Sequence, residues 1–429
     1  MRLGGRVAGA IEVLNDVETR RRPVADALKD WGLSRRFAGS GDRAAVGNIV
    51  YDALRMKLSH AYLMDSASPA ALAYAVMLRQ WGFTPGSLAQ EFEGDKFAPQ
   101  PLDAAALAAF QSRKLEDAAP YIQGDIPEWV VPLFQENFGD DWLREAQALA
   151  TRPSLDLRVN TLRADRDKVI HSLEESQARP STIARNGVRI SSGEGPSRLP
   201  NVTAELSFAK GWFEVQDEGS QIVADLVMAE DGEQILDYCA GGGGKTLALA
   251  ATMHNKGQVH AYDADRKRLA PIIERLRRAG TRNVQVQEHE KSLAQFKGKF
   301  DRVLVDAPCT GTGTWRRRPD TKWRLTPKNL DERIGQQREA LVKASAYVRP
   351  GGVLCYVTCS VLPQENQGQV AAFLEADRSF ELVSALQNWT KLFGDQQVKP
   401  HSSDGRTLTL SPARTDTDGF YFAMLRQKT

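Results

Sequence analysis

The chain has 429 residues, of which 42% are hydrophobic and 26% charged, and a formal net charge of +2. That length exceeds one ordinary core, and the composition excludes a disordered chain and, with no run of about 18 apolar residues, a membrane-resident one. A near-neutral total also excludes bulk attraction to polyanions, so any nucleic-acid surface must be a local patch.

The opening "MRLGGRVAGAIEVLNDVETRRRPVADAL" is arginine-rich, yet Glu12, Asp16 and Glu18 interrupt it, and transit peptides are poor in acids. A domain's first helix is the expectation. Residues 1–124 read as all-helical, with Val46, Ile49, Val50, Ala53 and Leu54 at three- and four-residue spacing behind the helix start "GSGD". Residues 1–57 hold 11 Lys/Arg against 7 Asp/Glu, whereas residues 58–150 hold 5 against 13.

A small α+β domain is expected over 125–204. It opens with "GDIPEWVVPLFQENFGDDW", Pro127 in a first helical turn and Gly139 near the end. A strand-like piece and an amphipathic helix follow in "LDLRVNTLRADRDKVIHSLEESQ", and the loop-forming "SSGEGPSRLPN" marks the exit.

Over 205–429 strands alternate with helix-length segments. The β-rich runs are "QILDYC", "QVHAYD", "NVQVQ", "DRVLVD", "VLCYVT" and the final "GFYFAMLR". The fold class expected is α/β, a Rossmann-like, doubly wound, mostly parallel sheet covered on both faces. In such sheets ligands bind beyond the carboxyl ends of the strands, where strand order reverses.

The first of these strands runs into "DYCAGGGGKT", a glycine turn that brings backbone N–H groups and a helix N-terminus close to a ligand. It is not a Walker A loop, because Cys239 stands where glycine is needed, nor a GxGxxG from Gly241, which meets Thr246 at its last position. Asp263 ends the second strand, where an acid grips a ribose; alone it would read as a helix N-cap. Together they favour an adenosyl cofactor. The run Arg266, Lys267, Arg268, Arg275, Arg277 and Arg278 behind it reads as a solvated helix face.

The four cysteines are Cys239, Cys309, Cys355 and Cys359, with no CxxC pair. That is neither a secreted disulfide framework nor a structural zinc site, which leaves a reduced, cytoplasmic protein without a metal. Cys355, inside a strand, is expected to be inert, and Cys239 a small packing residue beside the cofactor. Asp306 and Cys309 end the fourth strand and Cys359 the fifth. If these strands neighbour each other and the first, both thiols and the acid open onto the cofactor cleft.

One reaction uses that set. A thiolate adding at carbon-6 of a pyrimidine turns carbon-5 into a nucleophile for an electrophilic methyl group, an acid near N3 helps the addition, and a second thiol assists release. The cofactor would be S-adenosylmethionine. Spacing alone leaves open which cysteine attacks. The adjoining "TWRRRPDTKWR" offers Arg316, Arg317, Arg318 and Lys322 to phosphates, and Trp315 or Trp323 to an unstacked base.

"DYCAGGGGKT", "DAPCTGTG", "RRRPD", "TCSVLPQEN", "RVNTLR" and "VQDEGSQ" together resemble the bacterial ribosomal RNA cytosine-5 methyltransferases of the RsmB/Sun/Fmu type. The resemblance covers most of the chain, "RVNTLR" matching that family's small domain and the first helices its NusB-like RNA-binding domain. It implies the S-adenosylmethionine-dependent methyltransferase fold, Cys359 as nucleophile and Cys309 as the thiol that frees the product. It also implies cofactor contacts from Cys239, Ala240, Gly241, Gly242, Gly243, Gly244 and Lys245, and from Asp263, Glu290 and Asp306, to which we add Arg268. The chain departs from the family at Gly241 and Gly242, where Ala-Pro is usual, and at Glu290, where aspartate is usual. The expected partner is ribosomal RNA and the expected state a monomer without a membrane. The rival reading, from another class, is an RNA-binding ribosome assembly factor whose methyltransferase fold no longer turns over.

Overall fold

The computed structural model describes residues 1–394 and 398–429. The contacts gather the chain into two compact units, each made of separated segments.

The first unit joins Met1–Pro153, Ser192–Leu199 and Trp315–Leu325. Its helix Ser40–Arg55 starts where "GSGD" predicts, with the Gly39 N–H donating to Asp42 Oδ2 at 3.1 Å. Val46, Ile49, Val50 and Ala53 on one stripe of it are fully buried against Val7 and Ala10 of helix Leu3–Arg20 and Ala73, Ala75 and Val76 of helix Pro69–Arg79. Three- and four-residue spacing of apolar side chains does this wherever a helix needs one dry face.

The basic, aromatic segment belongs to this unit. A helix leaves its last carbonyls without intrahelical donors, and two of those of Ser40–Arg55 are supplied from the segment. Trp323 Nε1 donates to Leu54 O at 2.6 Å and Lys322 Nζ to Arg55 O at 2.9 Å, a cation at the negative end of the helix dipole. Arg55 Nε returns a bond to Arg316 O at 2.7 Å, and Trp315 stacks on Phe134 with ring centroids 6.0 Å apart. Burial lowers the pKa of Lys322 to about 8. The reading of this segment as an open RNA surface is therefore corrected for Trp315, Arg316 and Lys322, all of which are buried, while Arg317 is half-buried and Arg318 exposed. Helix capping claims Lys322 and Trp323, and core packing claims Trp315, groups that the sequence reading offered to RNA.

The second unit joins Ser154–Ser191, Pro200–Thr314 and Thr326–Thr429 and contains two sheets. The smaller consists of β1 (Leu155–Val159), β2 (Arg179–Pro180), β3 (Gly187–Ile190) and β4 (Phe213–Val215) in the order β2-β3-β1-β4, antiparallel throughout.

The larger has eight strands: β5 (Gln234–Asp237), β6 (Gln258–Tyr262), β7 (Val284–Gln287), β8 (Phe300–Asp306), β9 (Val348–Thr358), β10 (Phe380–Val383), β11 (Leu408–Leu410) and β12 (Phe420–Gln427). The order is β10-β12-β9-β8-β5-β6-β7, with β11 paired to β12. β5 to β9 run parallel, and β12 lies antiparallel between β9 and β10. Alternate residues of each central strand face opposite cores, Ile235, Leu304 and Cys355 on one side and Leu236, Val303 and Leu354 on the other. This is the doubly wound, mostly parallel sheet expected from sequence, and its order reverses between β5 and β8. One detail differs: β9 neighbours β8 but not β5. Among the described residues no helix is long and apolar enough to cross a membrane.

Candidate active site

The crevice beyond β5 and β8 begins with the glycine turn. The Tyr238 N–H donates to Leu304 O and the Ala240 N–H to Tyr262 O, both at 2.9 Å, so the chain leaves β5 tied to strands on either side. The helix Gly244–Thr252 follows at once. Gly243 sits at φ +82°, and a Cβ there would lie 2.4 Å from Ile272 Cγ1, so only glycine fits.

Asp263, one residue past β6, is buried; its Oδ2 accepts from the Gly241 N–H and its Oδ1 from the Asp265 N–H, each at 2.8 Å. Asp265, not Asp263, caps the helix Arg266–Leu269. Asp263 thus braces the turn, and each oxygen keeps a lone-pair direction for ribose hydroxyl donors. Arg268 Nη1 stands 3.7 Å from Asp263 Oδ2 on a side chain about half exposed. Glu290, at the start of the helix after β7, accepts from the Tyr238 hydroxyl at 3.2 Å and lies 3.7 Å from Lys343 Nζ.

The buried Lys245 ammonium donates to Asp306 Oδ2 at 2.7 Å, which joins the glycine turn to the last residue of β8. Beneath them Asp237 is fully buried; Thr246 Oγ1 donates to its Oδ2 at 2.7 Å, and its Oδ1 has no partner. Burial raises its pKa to about 7 against that hydrogen bond, with Asp306 adding to the rise.

Asp306 pairs with Val357 across the parallel β8–β9 ladder, so the turns after the two strands emerge side by side. Cys309 and Cys359, both reduced and half-buried, meet there with sulfurs 3.2 Å apart. The hydrogen bond with Cys359, together with burial, raises the Cys309 pKa above its ordinary value. Cys355 is fully buried in β9 with a pKa raised to about 12, as an inert core thiol is. Burial likewise raises the pKa of Cys239 inside the turn.

Sequence reasoning missed Glu365. It is fully buried; its Oε1 accepts from the Thr310 N–H and from Gln337 Nε2, each at 2.8 Å, and its Oε2 from the Thr310 hydroxyl. Gln337 Nε2 also donates to Pro308 O at 3.0 Å, so both neighbours of Cys309 are held. An acid six residues past Cys359 in "TCSVLPQEN" was the available signal. Also missed were Arg158 and Arg275, for which a strand arginine and one of six cations on a helix gave none. The chemistry assembled is a glycine turn bonded to the carboxylates of Asp263, through the Gly241 N–H, and Asp306, through Lys245, with two thiols beyond Asp306. Among the described residues no cluster of three His, Cys, Asp or Glu side chains could hold a metal.

Residues 224–426 match the family model described as 16S rRNA methyltransferase RsmB/F, and residues 126–194 match the ferredoxin-like domain model of RsmF/B-like methyltransferases. The chain is 32% identical over 354 residues to ribosomal RNA small subunit methyltransferase B of Yersinia pseudotuberculosis, covering 80% of this chain and 77% of that protein. Among solved structures, PH0851 is similar over the whole of both chains, with a TM-score of 0.74 and 23% identity. NSun6 from Pyrococcus horikoshii with SFG is similar over 71% of this chain and 98% of its own, with a TM-score of 0.60 and 22% identity. At those identities the two structures speak for the fold.

Proposed function

The chain belongs to the RsmB/F family of 16S rRNA methyltransferases, and from that premise we propose that it methylates carbon-5 of a cytosine in small-subunit ribosomal RNA through a covalent cysteine adduct. The observation that carries this reading is the pair of reduced sulfurs 3.2 Å apart, next to an acid bonded to the glycine turn.

The cofactor is S-adenosylmethionine, which when bound supplies an electrophilic methyl group. The turn Cys239–Lys245 would hold it with Asp263 and Arg268, and Glu290 beside Tyr238 would line its far end. Cys359 forms a bond to carbon-6 as a thiolate, which places electron density on carbon-5. Asp306, oriented by Lys245, hydrogen-bonds the N3 edge and stabilises the added ring. After carbon-5 has gained its methyl group, Cys309, having released its own thiol proton to solvent, takes up the carbon-5 proton as a thiolate, the carbon-6 to sulfur bond breaks and Cys359 leaves as a thiolate. One methyl group has replaced one proton. A cytosine in structured RNA must be taken out of its stack first, at a cost of a few kcal/mol; phosphate contacts, among them Arg318, offset that cost.

The test uses RNA with 5-fluorocytosine at the target, which has no carbon-5 proton to give up. Wild-type protein should form a stable protein–RNA adduct and Cys359→Ala none; an adduct that persists in Cys359→Ala ends the assignment. On ordinary RNA, Cys309→Ala should accumulate a covalent species. Transfer of a labelled methyl group separates this reading from a non-catalytic assembly factor.

A further inference from the structure

Two carbonyls of the glycine turn are gripped from outside the crevice. Arg275 Nη1 donates to Gly242 O at 2.5 Å, and Arg158 Nη1 donates to Gly244 O at 2.6 Å. Both guanidinium groups are anchored through the smaller sheet. Glu214, on β4, is buried, and its Oε2 accepts from Arg275 Nη2 at 2.9 Å and Nε at 3.2 Å while its Oε1 accepts from Arg278. Arg158, on β1, lies directly opposite Glu214 in the β1–β4 pair and also donates to Gln216 Oε1. A Cβ at Gly242 would lie 3.3 Å from Arg275 Nη1, so the guanidinium packs against the glycine itself.

A peptide group whose carbonyl is held outward turns the next N–H the other way. Holding the carbonyls of Gly242 and Gly244 therefore fixes the N–H groups of Gly243 and Lys245. The Gly241 N–H is already tied to Asp263 and the Gly243 N–H to Ala240 O at 2.9 Å; the arginines add outer restraints to a glycine-rich turn whose ordering on binding would otherwise cost affinity. Charge-assisted hydrogen bonds are about twice as strong as neutral ones, and a guanidinium can serve a carboxylate and a carbonyl at the same time. Neither arginine has an atom bonded to the side chains that line the crevice.

We infer that Arg275, fixed by Glu214, and Arg158, held by Gln216, are positioning residues that preorganise the cofactor turn, so that the smaller sheet sets the affinity for S-adenosylmethionine. This rests on the reading of the turn as the cofactor loop. A lysine at 275 can pair with Glu214 but cannot also reach Gly242 O, which separates the brace from the ion pair.

Hydrogen exchange on the free protein and calorimetric titration with S-adenosylmethionine test it in wild type, Arg275→Lys and Arg275→Met. In Arg275→Lys, amides 241–245 should exchange faster while β5 and β8 keep their protection. Affinity for S-adenosylmethionine should fall about tenfold, the loss expected for one charge-assisted hydrogen bond, with the KM for RNA unmoved. Arg275→Met should show the same pattern, with a lower melting temperature from the lost pair with Glu214. If amides 241–245 and the affinity match wild type in Arg275→Lys, the inference is overturned. Should wild type itself fail to bind S-adenosylmethionine, the functional reading falls, and exchange in the free protein still decides whether the turn is braced.

Discussion

Glu365 is the residue through which release can be tested apart from attack. Glu365→Ala removes the acceptor of two buried donors, Thr310 N–H and Gln337 Nε2, and of the Thr310 hydroxyl. At about 1–3 kcal/mol for each of these two donors deprived of its acceptor, the loss of stability should be about 2–6 kcal/mol, read by urea unfolding. Glu365→Gln keeps the shape and one acceptor oxygen, and should cost about 1–2 kcal/mol by the same reasoning. Its kinetic effect is the sharper one. Pro308 and Thr310 bracket Cys309, so their displacement moves the releasing thiol, and a shift of about 1 Å can cost about 100-fold in rate. In single-turnover reactions with target RNA, Glu365→Gln should form the covalent species at a near wild-type rate and resolve it about 10- to 100-fold more slowly. Affinity for S-adenosylmethionine should stay as it was, since Glu365 touches neither the glycine turn nor Asp263. A variant that slows formation and resolution equally, or neither, would refute the claim that Glu365 acts by holding Cys309.

Gly243→Ala brings a Cβ to 2.4 Å from Ile272 Cγ1 at φ +82°, and should lower stability by about 1–3 kcal/mol and weaken cofactor binding; a melting temperature equal to wild type would mean Ile272 gives way freely. Lys322 has its pKa lowered from 10.5 to about 8 by burial, so between those values the unfolded chain binds more protons and stability rises with pH. Urea unfolding of wild type relative to Lys322→Met should therefore show a gain of about 3 kcal/mol from pH 7 to 10.5, and a pH-independent difference would show that the ammonium is solvated. The sulfurs of Cys309 and Cys359 are close enough to join after modest side-chain rotation. Hydrogen peroxide should oxidise one thiol to a sulfenic acid that the other displaces with loss of water, stopping adduct formation until dithiothreitol is added; two alkylatable thiols after peroxide treatment would count against this.

The central strands were legible because each is a short β-rich run with an acid at its end or just after it, and β5 to β8 fall within a residue or two of "QILDYC", "QVHAYD", "NVQVQ" and "DRVLVD". β9 was underestimated. It extends back to Val348 through Pro350, Gly351 and Gly352, residues that read as strand breakers but are accommodated by an irregular register opposite Phe300 and Arg302. β10 and β11, short pieces at one edge, carry too little pattern to be recognised. The acids and thiols lay at strand ends, where topology alone assigns them to a crevice. What local pattern could not supply was the long-range partner. Arg275 and Arg278 look like any solvated cations until Glu214, some 60 residues earlier, reaches them. Trp323 and Lys322 look like an RNA platform until the carboxyl end of helix Ser40–Arg55 uses them as its donors.

That last arrangement bears on how the protein is made. The helical unit lacks two of its cap donors and Trp315 until residues 315–325 exist. A ribosome adding about 5–20 residues per second reaches them roughly 10–30 s after Pro153. Until then the nascent chain exposes an apolar seat for Trp315 beside uncapped carbonyls, and a fragment ended at residue 153 would carry that defect permanently.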